Sequence, residues 1–183
     1  MSLRRLAEAV ALAAMLVAAT PRGDVHAQDR VLRVSLNTEL QILDPIVVTI
    51  NATRVFAYMV FDTLVGIDAD GIYRPQMLEG WQISEDRLTY AFTLREGLEF
   101  SDGTPVTSED CVASIGRWAQ REALGRHMME AAEDFRVIDA RRFELKLKRP
   151  FAFVIEALGK PGNQIPVIMP ARLAALPATA PVP

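Results

Sequence analysis

The chain has 183 residues, half of them hydrophobic and 23% charged, with a formal net charge of −3 at pH 7. This length and composition are typical of a soluble globular protein with a hydrophobic core of its own. Because acidic residues outnumber basic ones, the composition argues against a nucleic-acid-binding protein, which needs a basic surface. The single cysteine, Cys111, leaves the chain without an internal disulfide bond.

Residues 1–27 have the features of a secretory signal peptide. Arg4 and Arg5 provide a positively charged start, an apolar run follows over residues 6–19, and Val25-His26-Ala27 is typical of a cleavage site. The apolar run is well short of the about 20 residues that a membrane-spanning helix needs, so a membrane anchor is the less favoured interpretation. We therefore expect cleavage after residue 27 and a periplasmic location.

Residues 31–61 predict a strand, a loop and a helix in that order. Apolar and polar residues alternate over residues 31–36, which is the pattern of a half-buried strand. Residues 37–49 show no periodicity and contain Asp44-Pro45, so this segment is predicted to be a loop. A helix is predicted over residues 51–61, where apolar residues recur at helical spacing and Asn51 is available as an N-cap.

The next predicted strand, residues 64–67, ends at the tetrad Asp68-Ala69-Asp70-Gly71. This tetrad resembles the beginning of an EF-hand calcium loop. With Asp68 in the first position, however, Tyr73 stands where the loop needs glycine. With Gly71 in the glycine position, Met77 stands where the loop needs its final glutamate. A hairpin turn is predicted instead.

Residues 75–117 predict a β-hairpin followed by a helix. Trp81 begins the first strand, residues 81–84, and is interpreted as a core anchor, with a stacking platform for a ligand as the alternative. Glu85-Asp86 supplies the turn, and the second strand ends near Arg95, which is interpreted as a solvated charge or as a partner for a ligand carboxylate. Period-two alternation in that strand indicates a half-buried face, with these apolar members: Leu88, Tyr90, Phe92 and Leu94.

The corner Asp102-Gly103-Thr104-Pro105 leads into the predicted helix. Glycine adopts positive φ and proline fixes its own φ, so this tetrad favours a turn. Thr107 is a predicted N-cap, with Asp110 three residues further on to complete a capping box. We expect the helix to run to about Gln120 and to bury Cys111 as a small apolar side chain.

Beyond residue 120 the pattern alternates between helix and strand. The predicted elements are a helix over residues 122–133, a hairpin of residues 135–138 and 143–147, a helix over residues 151–158, a strand over residues 165–169 and a helical turn over residues 170–176. Because tight turns join most of the strands, the sequence predicts a mixed α/β (α+β) fold with a mixed, largely antiparallel sheet and packed helices.

The sequence contains no residue set typical of an enzyme. After loss of the leader, His127 is the only histidine, and its polar surroundings predict exposure. With one thiol and one histidine, the chain has neither a Cys/His zinc site nor the usual catalytic triad, and it lacks the glycine-rich nucleotide motifs. We therefore predict no catalytic residue, no metal and no cofactor, with a secreted hydrolase that uses paired carboxylates as the alternative.

The stretch from Trp81 to Cys111 resembles the N-terminal lobe of extracellular solute-binding protein family 5, the periplasmic receptors of ABC importers that include dipeptide- and oligopeptide-binding proteins. The resemblance extends over about residues 31–172, and many spacings match at once. The residues that carry it are Leu64, Pro75, Glu79, Trp81, Tyr90, Phe92, Leu94, Arg95, Phe100, Asp102-Gly103-Thr104-Pro105 and Glu109-Asp110.

The resemblance implies a receptor lobe that binds peptides or similar small solutes and delivers them, as a monomer, to permease subunits in the inner membrane. It also implies that the segment after Asp44-Pro45 borders the ligand cleft, which here contains Val48, Thr49, Ile50 and Asn51. The loop at residues 160–164, with Asn163, is a second candidate. The alternatives are that Asn51 caps the following helix and that residues 160–164 form an ordinary exposed turn.

Members of this family are much longer than this chain, so the resemblance implies an incomplete lobe. The expected organisation is a signal peptide over residues 1–27, a partial N-terminal lobe over residues 28–176 and a flexible Pro/Ala-rich end over residues 177–183. The chain is then a fragment or a truncated gene product. A truncated remnant that binds no small solute is a further alternative.

Overall fold

The computed structural model describes residues 39–162 and 164–182. The predicted signal peptide and the first predicted strand, residues 31–36, lie outside them. In chain order the elements are α1 (Asn51–Val60), β1 (Val65–Ile67), β2 (Tyr73–Pro75), β3 (Leu78–Ile83), β4 (Thr89–Leu94), α2 (Ser108–Ala119), α3 (Ala123–Ala131), β5 (Ala132–Val137), β6 (Arg142–Leu147), α4 (Val154–Leu158) and α5 (Ala171–Ala174).

A four-stranded sheet with the strand order β3-β4-β6-β5 organises the described residues, and every neighbouring pair in it is antiparallel. On its inner face Tyr90, Phe92 and Leu94 are buried, whereas the intervening residues of β4 are only partly covered. Phe92 stands opposite Phe143 of β6, with their ring centroids 5.1 Å apart. The alternation predicted for β4, and the predicted mixed fold with an antiparallel sheet, are confirmed.

The helix α2 packs on the sheet and begins as the sequence predicts. The backbone N–H of Thr107 donates to Asp110 Oδ2 at 2.8 Å, and the Thr107 hydroxyl accepts from the Asp110 N–H, so the capping box is complete. At the preceding corner Gly103 has a φ of +81°, a conformation that favours glycine. This corner therefore fixes where α2 starts relative to the end of β4.

The smaller hairpin of β1 and β2 closes through the tetrad at residues 68–71. Asp68 Oδ1 accepts the backbone N–H groups of Asp70 and Ile72, and Asp68 Oδ2 accepts from Arg74 at 2.9 Å. Gly71 has a φ of +79°. The predicted hairpin turn is confirmed.

Two local predictions are wrong. Residues 165–169 form no strand, because Pro166 has no N–H and the N–H of Val167 bonds locally to the Ile165 carbonyl, which leaves one bridge between Val167 and Thr63. Asn51 is not the N-cap of α1. Ile50 occupies that position with no side-chain cap, and Asn51 is the first helical residue, where its side chain accepts from Arg54.

The Pro/Ala-rich end, for which the sequence predicts flexibility, contacts the core up to residue 182. Ala178 is buried, the carbonyl groups of Leu176 and Ala180 accept from Arg117, and the N–H of Val182 donates to Asp44. In residues 39–162 and 164–182, no helix combines the length and the apolar character needed to cross a bilayer.

Candidate ligand site

Four of the five predicted ligand residues lie at residues 48–51, where a loop with a buried base runs into the first residue of α1. Asp44 and Ile46 are fully buried. The following residues lead into α1. The side chains of Thr49 and Asn51 are exposed, and those of Val48 and Ile50 are half-buried. Two exposed polar side chains and two half-buried apolar ones therefore alternate along the chain, a combination that suits the polar main chain and apolar side groups of a small solute.

A buried ion pair holds the base of this loop. Arg117 Nη2 on α2 donates to Asp44 Oδ2 at 2.8 Å, and the two side chains are 1% and 0% exposed. The other carboxylate oxygen, Oδ1, accepts the N–H of Ile46 at 2.9 Å. Because a buried charge is stable only when its partners stay in place, this pair fixes the start of residues 46–51, the ligand loop, whose last residue is also the first of α1.

Arg117 makes further contacts with the chain beyond α5. Its Nε donates to the Leu176 carbonyl at 3.3 Å and its Nη2 to the Ala180 carbonyl at 2.7 Å. Its Nη1 is buried and has no hydrogen-bond partner among the described residues. Sequence reasoning missed Arg117 as a site-supporting residue. Its position on a helix face whose other members are buried was the available signal, since a buried arginine requires an acidic partner.

The two loops that the sequence nominates separately are neighbours in the structure. Gln164 Nε2 donates to the carbonyl of Ile46 at 3.0 Å, and the indole N–H of Trp118 donates to the Gln164 carbonyl at 2.5 Å. Lys160, at the start of the second loop, pairs with Glu122 at 3.0 Å. Asn163, the ligand residue predicted in this loop, lies outside the described residues.

Trp81 and Arg95 have structural roles. Trp81 stands opposite Phe92 in the sheet and packs, half-buried, against the core, in agreement with its interpretation as a core anchor. Arg95 donates to the carbonyl groups of Leu78 and Pro75, at 3.1 Å each. Arg95 is exposed, in agreement with its interpretation as a solvated charge, and its side chain links the end of β2 to the start of β3.

Two carboxylates that a hydrolase could use, those of Asp86 and Asp102, lie in separate turns. The Ser84 hydroxyl donates to Asp86 at 2.5 Å and holds the pKa of that carboxyl below its usual value. The Thr104 hydroxyl donates to Asp102 at 2.6 Å and likewise holds the pKa of that carboxyl below its usual value. Each of the two acids closes its own turn, and a lowered pKa makes a carboxyl a poor general acid near neutral pH.

The histidine and cysteine predictions are confirmed. The His127 side chain is 67% exposed and lies 3.2 Å from Glu130, whereas Cys111 is fully buried and burial raises the pKa of its thiol. In the part of the chain that the structure describes, no three metal-binding side chains converge.

Cavities also lie elsewhere on the described surface. One of about 520 Å³ opens on the sheet beside Thr93, Arg142 and Glu144. One of about 360 Å³ lies between the end of α1, the turn near Phe100 and residues close to Leu173. Neither cavity is lined by Val48, Thr49, Ile50 or Asn51.

Comparison with known proteins places this arrangement in one family. Residues 73–181 match the family model described as "Bacterial extracellular solute-binding proteins, family 5 Middle". The chain is 40% identical over 153 residues to the "Probable peptide ABC transporter periplasmic-binding protein y4tO" of Sinorhizobium fredii (strain NBRC 101917 / NGR234). That alignment covers 84% of this chain but only 28% of the relative.

Solved structures share the fold. The binding protein AgaA of A. tumefaciens R10, in complex with agropinic acid, superposes with a TM-score of 0.63 and 29% sequence identity, covering 79% of this chain and 30% of AgaA. Listeria monocytogenes OppA bound to peptide gives a TM-score of 0.61 at 20% identity, covering 72% and 29% of the two chains. The chain therefore spans less than a third of the length of each of these proteins. The family resemblance noted in the sequence is confirmed, and the hydrolase alternative finds no support.

Proposed function

Because the chain belongs to the bacterial extracellular solute-binding proteins of family 5, we propose that it is the N-terminal part of a periplasmic receptor for peptides or similar small solutes. The receptor binds its solute and delivers it to the permease subunits of an ABC importer in the inner membrane. The observation that carries this proposal is the family match over residues 73–181, which contains the sheet, the corner at residues 102–105 and α2.

The ligand-contacting residues in this proposal are Val48, Thr49, Ile50 and Asn51, together with Asn163. Support comes from the exposed side chains of Thr49 and of Asn51, the first residue of α1, which follow a loop base fixed by a buried ion pair. The hydrogen bond between Gln164 and the Ile46 carbonyl also keeps the second loop beside the first. A hydroxyl and an amide at the tip can each donate to or accept from the main chain of a peptide.

The receptor acts by binding and release, so the solute leaves chemically unchanged. The separate turns of Asp86 and Asp102 favour this mode over hydrolysis. The remaining parts of the proposal rest on the sequence pattern and the family resemblance: a signal peptide over residues 1–27 that directs the chain to the periplasm, a partial lobe over residues 28–176, a Pro/Ala-rich end over residues 177–183, and action as a monomer.

The relatives set the ligand panel for the test. Their names mention a peptide for the S. fredii and L. monocytogenes proteins and agropinic acid for AgaA. The whole gene product is therefore heated in the presence of dipeptides, tripeptides, longer peptides or agropinic acid. A bound solute raises the melting temperature by mass action.

The expected result is a concentration-dependent rise in melting temperature with at least one member of the panel, and recovery of that solute intact after incubation. A stoichiometric solute that is recovered cleaved would contradict a binding role. No response to any member from the whole gene product would support the alternative of a remnant that binds no small solute.

A further inference from the structure

One carboxylate joins the start of the ligand loop to a segment far along the chain. Asp44 Oδ1 accepts the N–H of Ile46 at 2.9 Å, and Oδ2 accepts the N–H of Val182 at 3.1 Å. Val182 is 138 positions from Asp44 in sequence. The orientation of the Asp44 carboxylate therefore depends both on the loop and on the distant segment.

Arg117 strengthens the connection. The guanidinium that pairs with Asp44 also donates to the carbonyl groups of Leu176 and Ala180. Residues 176–182 are thus held at three backbone positions by the two side chains that hold the base of the loop. Both side chains are buried, and hydrogen bonds away from water are stronger and less easily exchanged for solvent partners.

The connection reaches the candidate ligand residues over a short distance along the chain. Ile46 is fully buried, and Val48 follows it by two residues. The Ile46 carbonyl is also held, by Gln164. The N–H and the carbonyl of Ile46 are therefore both hydrogen-bonded. A displacement of Asp44 is transmitted to Val48 through this short stretch of backbone.

We propose that residues 176–182 are a positioning segment for the ligand loop, residues 46–51, and that Asp44 and Arg117 transmit its position to the loop. Coupling of this kind is reciprocal, so a solute that orders the loop also protects residues 176–182, and a firmly held segment raises solute affinity. The affinity part rests on the proposed function, whereas the coupling between the loop and the segment does not.

Two substitutions at one position isolate the coupling. Val182→Pro removes the N–H that Asp44 accepts and leaves the buried ion pair unchanged, in a stretch where residues 181 and 183 are already prolines. Val182→Ala keeps that N–H and shortens the side chain. Amide hydrogen exchange of Ile46 is measured in the whole gene product for both variants.

We expect exchange at Ile46 to be about fivefold faster in Val182→Pro than in the original chain, the factor associated with one lost hydrogen bond. Val182→Ala should leave it unchanged. A second control is Ser114→Ala, at a residue on the same helix as Arg117. It removes the two buried hydrogen bonds between Ser114 and Met169, each 3.0 Å long. It should lower overall stability without a selective change at Ile46, because these hydrogen bonds join Ser114 to Met169 and involve neither residues 46–51 nor residues 176–182.

Affinity is measured with trialanine as the probe. The proposal predicts about fivefold weaker binding for Val182→Pro, original affinity for Val182→Ala, and slower exchange at Ala180 when trialanine is bound. Equal exchange at Ile46 in the two Val182 variants overturns the inference, whatever the ligand result. If exchange responds as expected but neither trialanine nor any other panel member binds, the positioning role stands and the proposed function fails.

Discussion

Gly125 of α3 lies directly against the indole ring of Trp118. A Cβ atom at residue 125 would be 2.5 Å from Cζ3 of that ring, closer than any van der Waals contact allows. The same indole donates its N–H to Gln164, which in turn holds Ile46 at the base of the ligand loop. The close approach of Gly125 and Trp118 thus supports the geometry of the candidate site as well as the packing of two helices.

Gly125→Ala should destabilise the protein. Alanine is the better helix former by about 1 kcal/mol, but the forced movement of a fully buried tryptophan costs about 1–3 kcal/mol, and the packing cost should prevail. Gly116→Ala is the matched control, because Gly116 lies in helix α2 and a Cβ added to it would have no neighbouring atom within 4 Å. Urea denaturation should show a lower free energy of unfolding for the first variant and an equal or higher one for the second, and the reverse order would contradict the packing described for Trp118.

Asp44→Asn should be strongly destabilising. It leaves the charge of Arg117 buried without its partner, and breaking a buried pair in this way typically costs about 3–5 kcal/mol. The control is Glu144→Gln, which breaks a pair of the same length, 2.8 Å, between side chains that remain in part exposed. An exposed pair contributes about 1 kcal/mol or less. Similar losses in the free energy of unfolding for the two variants would show that Asp44 does not act as a buried counter-ion.

The thiol of Cys111 should be unreactive in the folded protein. Burial raises its pKa, and the nearby carboxylate of Asp110 adds to that rise, so the thiolate is scarcely populated. We expect a colorimetric thiol reagent at pH 8 to label the protein only as it unfolds, with a rate that rises with urea concentration. Rapid stoichiometric labelling without denaturant would place Cys111 at the surface and contradict its position in α2.

The pKa of Asp68 should lie below its usual value, chiefly because the Arg74 side chain donates to its carboxylate and next because the Ile72 N–H does. The folded pKa of Asp68 is lower than its unfolded value, so its contribution to stability is present above about pH 4 and is lost as the pH falls through the folded pKa. Carboxyl NMR titration of Arg74→Ala should show the pKa of Asp68 moving upward, because the backbone donors alone remain.

Arg136→Ala serves as the control for that titration, since Arg136 pairs with Asp134 and Glu144 and not with Asp68. Its Asp68 pKa should match that of the original chain. An unchanged pKa in Arg74→Ala would mean that the hairpin turn holds its aspartate by backbone contacts alone.

Local signals allowed much of the fold to be predicted from the sequence. The capping box of Thr107 and Asp110 spans three residues, and the alternation around Tyr90 needs only neighbouring side chains, so both can be read without knowing the fold. Asn51 shows the limit of such reading. A shift of one residue gave the N-cap position to Ile50, which has no capping group.

The contacts that support the candidate site could not be predicted in this way. Arg117 is 73 positions from Asp44, and Gln164 is 118 positions from Ile46. Which arginine meets which aspartate is decided by how α2 packs against the loop and the segment beyond α5, and no spacing rule in the sequence contains that information. The sequence therefore nominated the exposed tip of the loop and missed its buried base.

In the proposed function, the ligand loop contacts a solute that is bound and released unchanged. The most direct test is the dissociation constant of the whole gene product for its best panel member, measured by calorimetry for Thr49→Val, Asn51→Ala and, as a control on the outer face of the sheet, Thr89→Val. We expect about tenfold weaker binding for Thr49→Val and for Asn51→Ala, because each variant loses a hydrogen bond to the solute, and an unchanged dissociation constant for Thr89→Val. Equal affinity in all three variants would contradict this expectation.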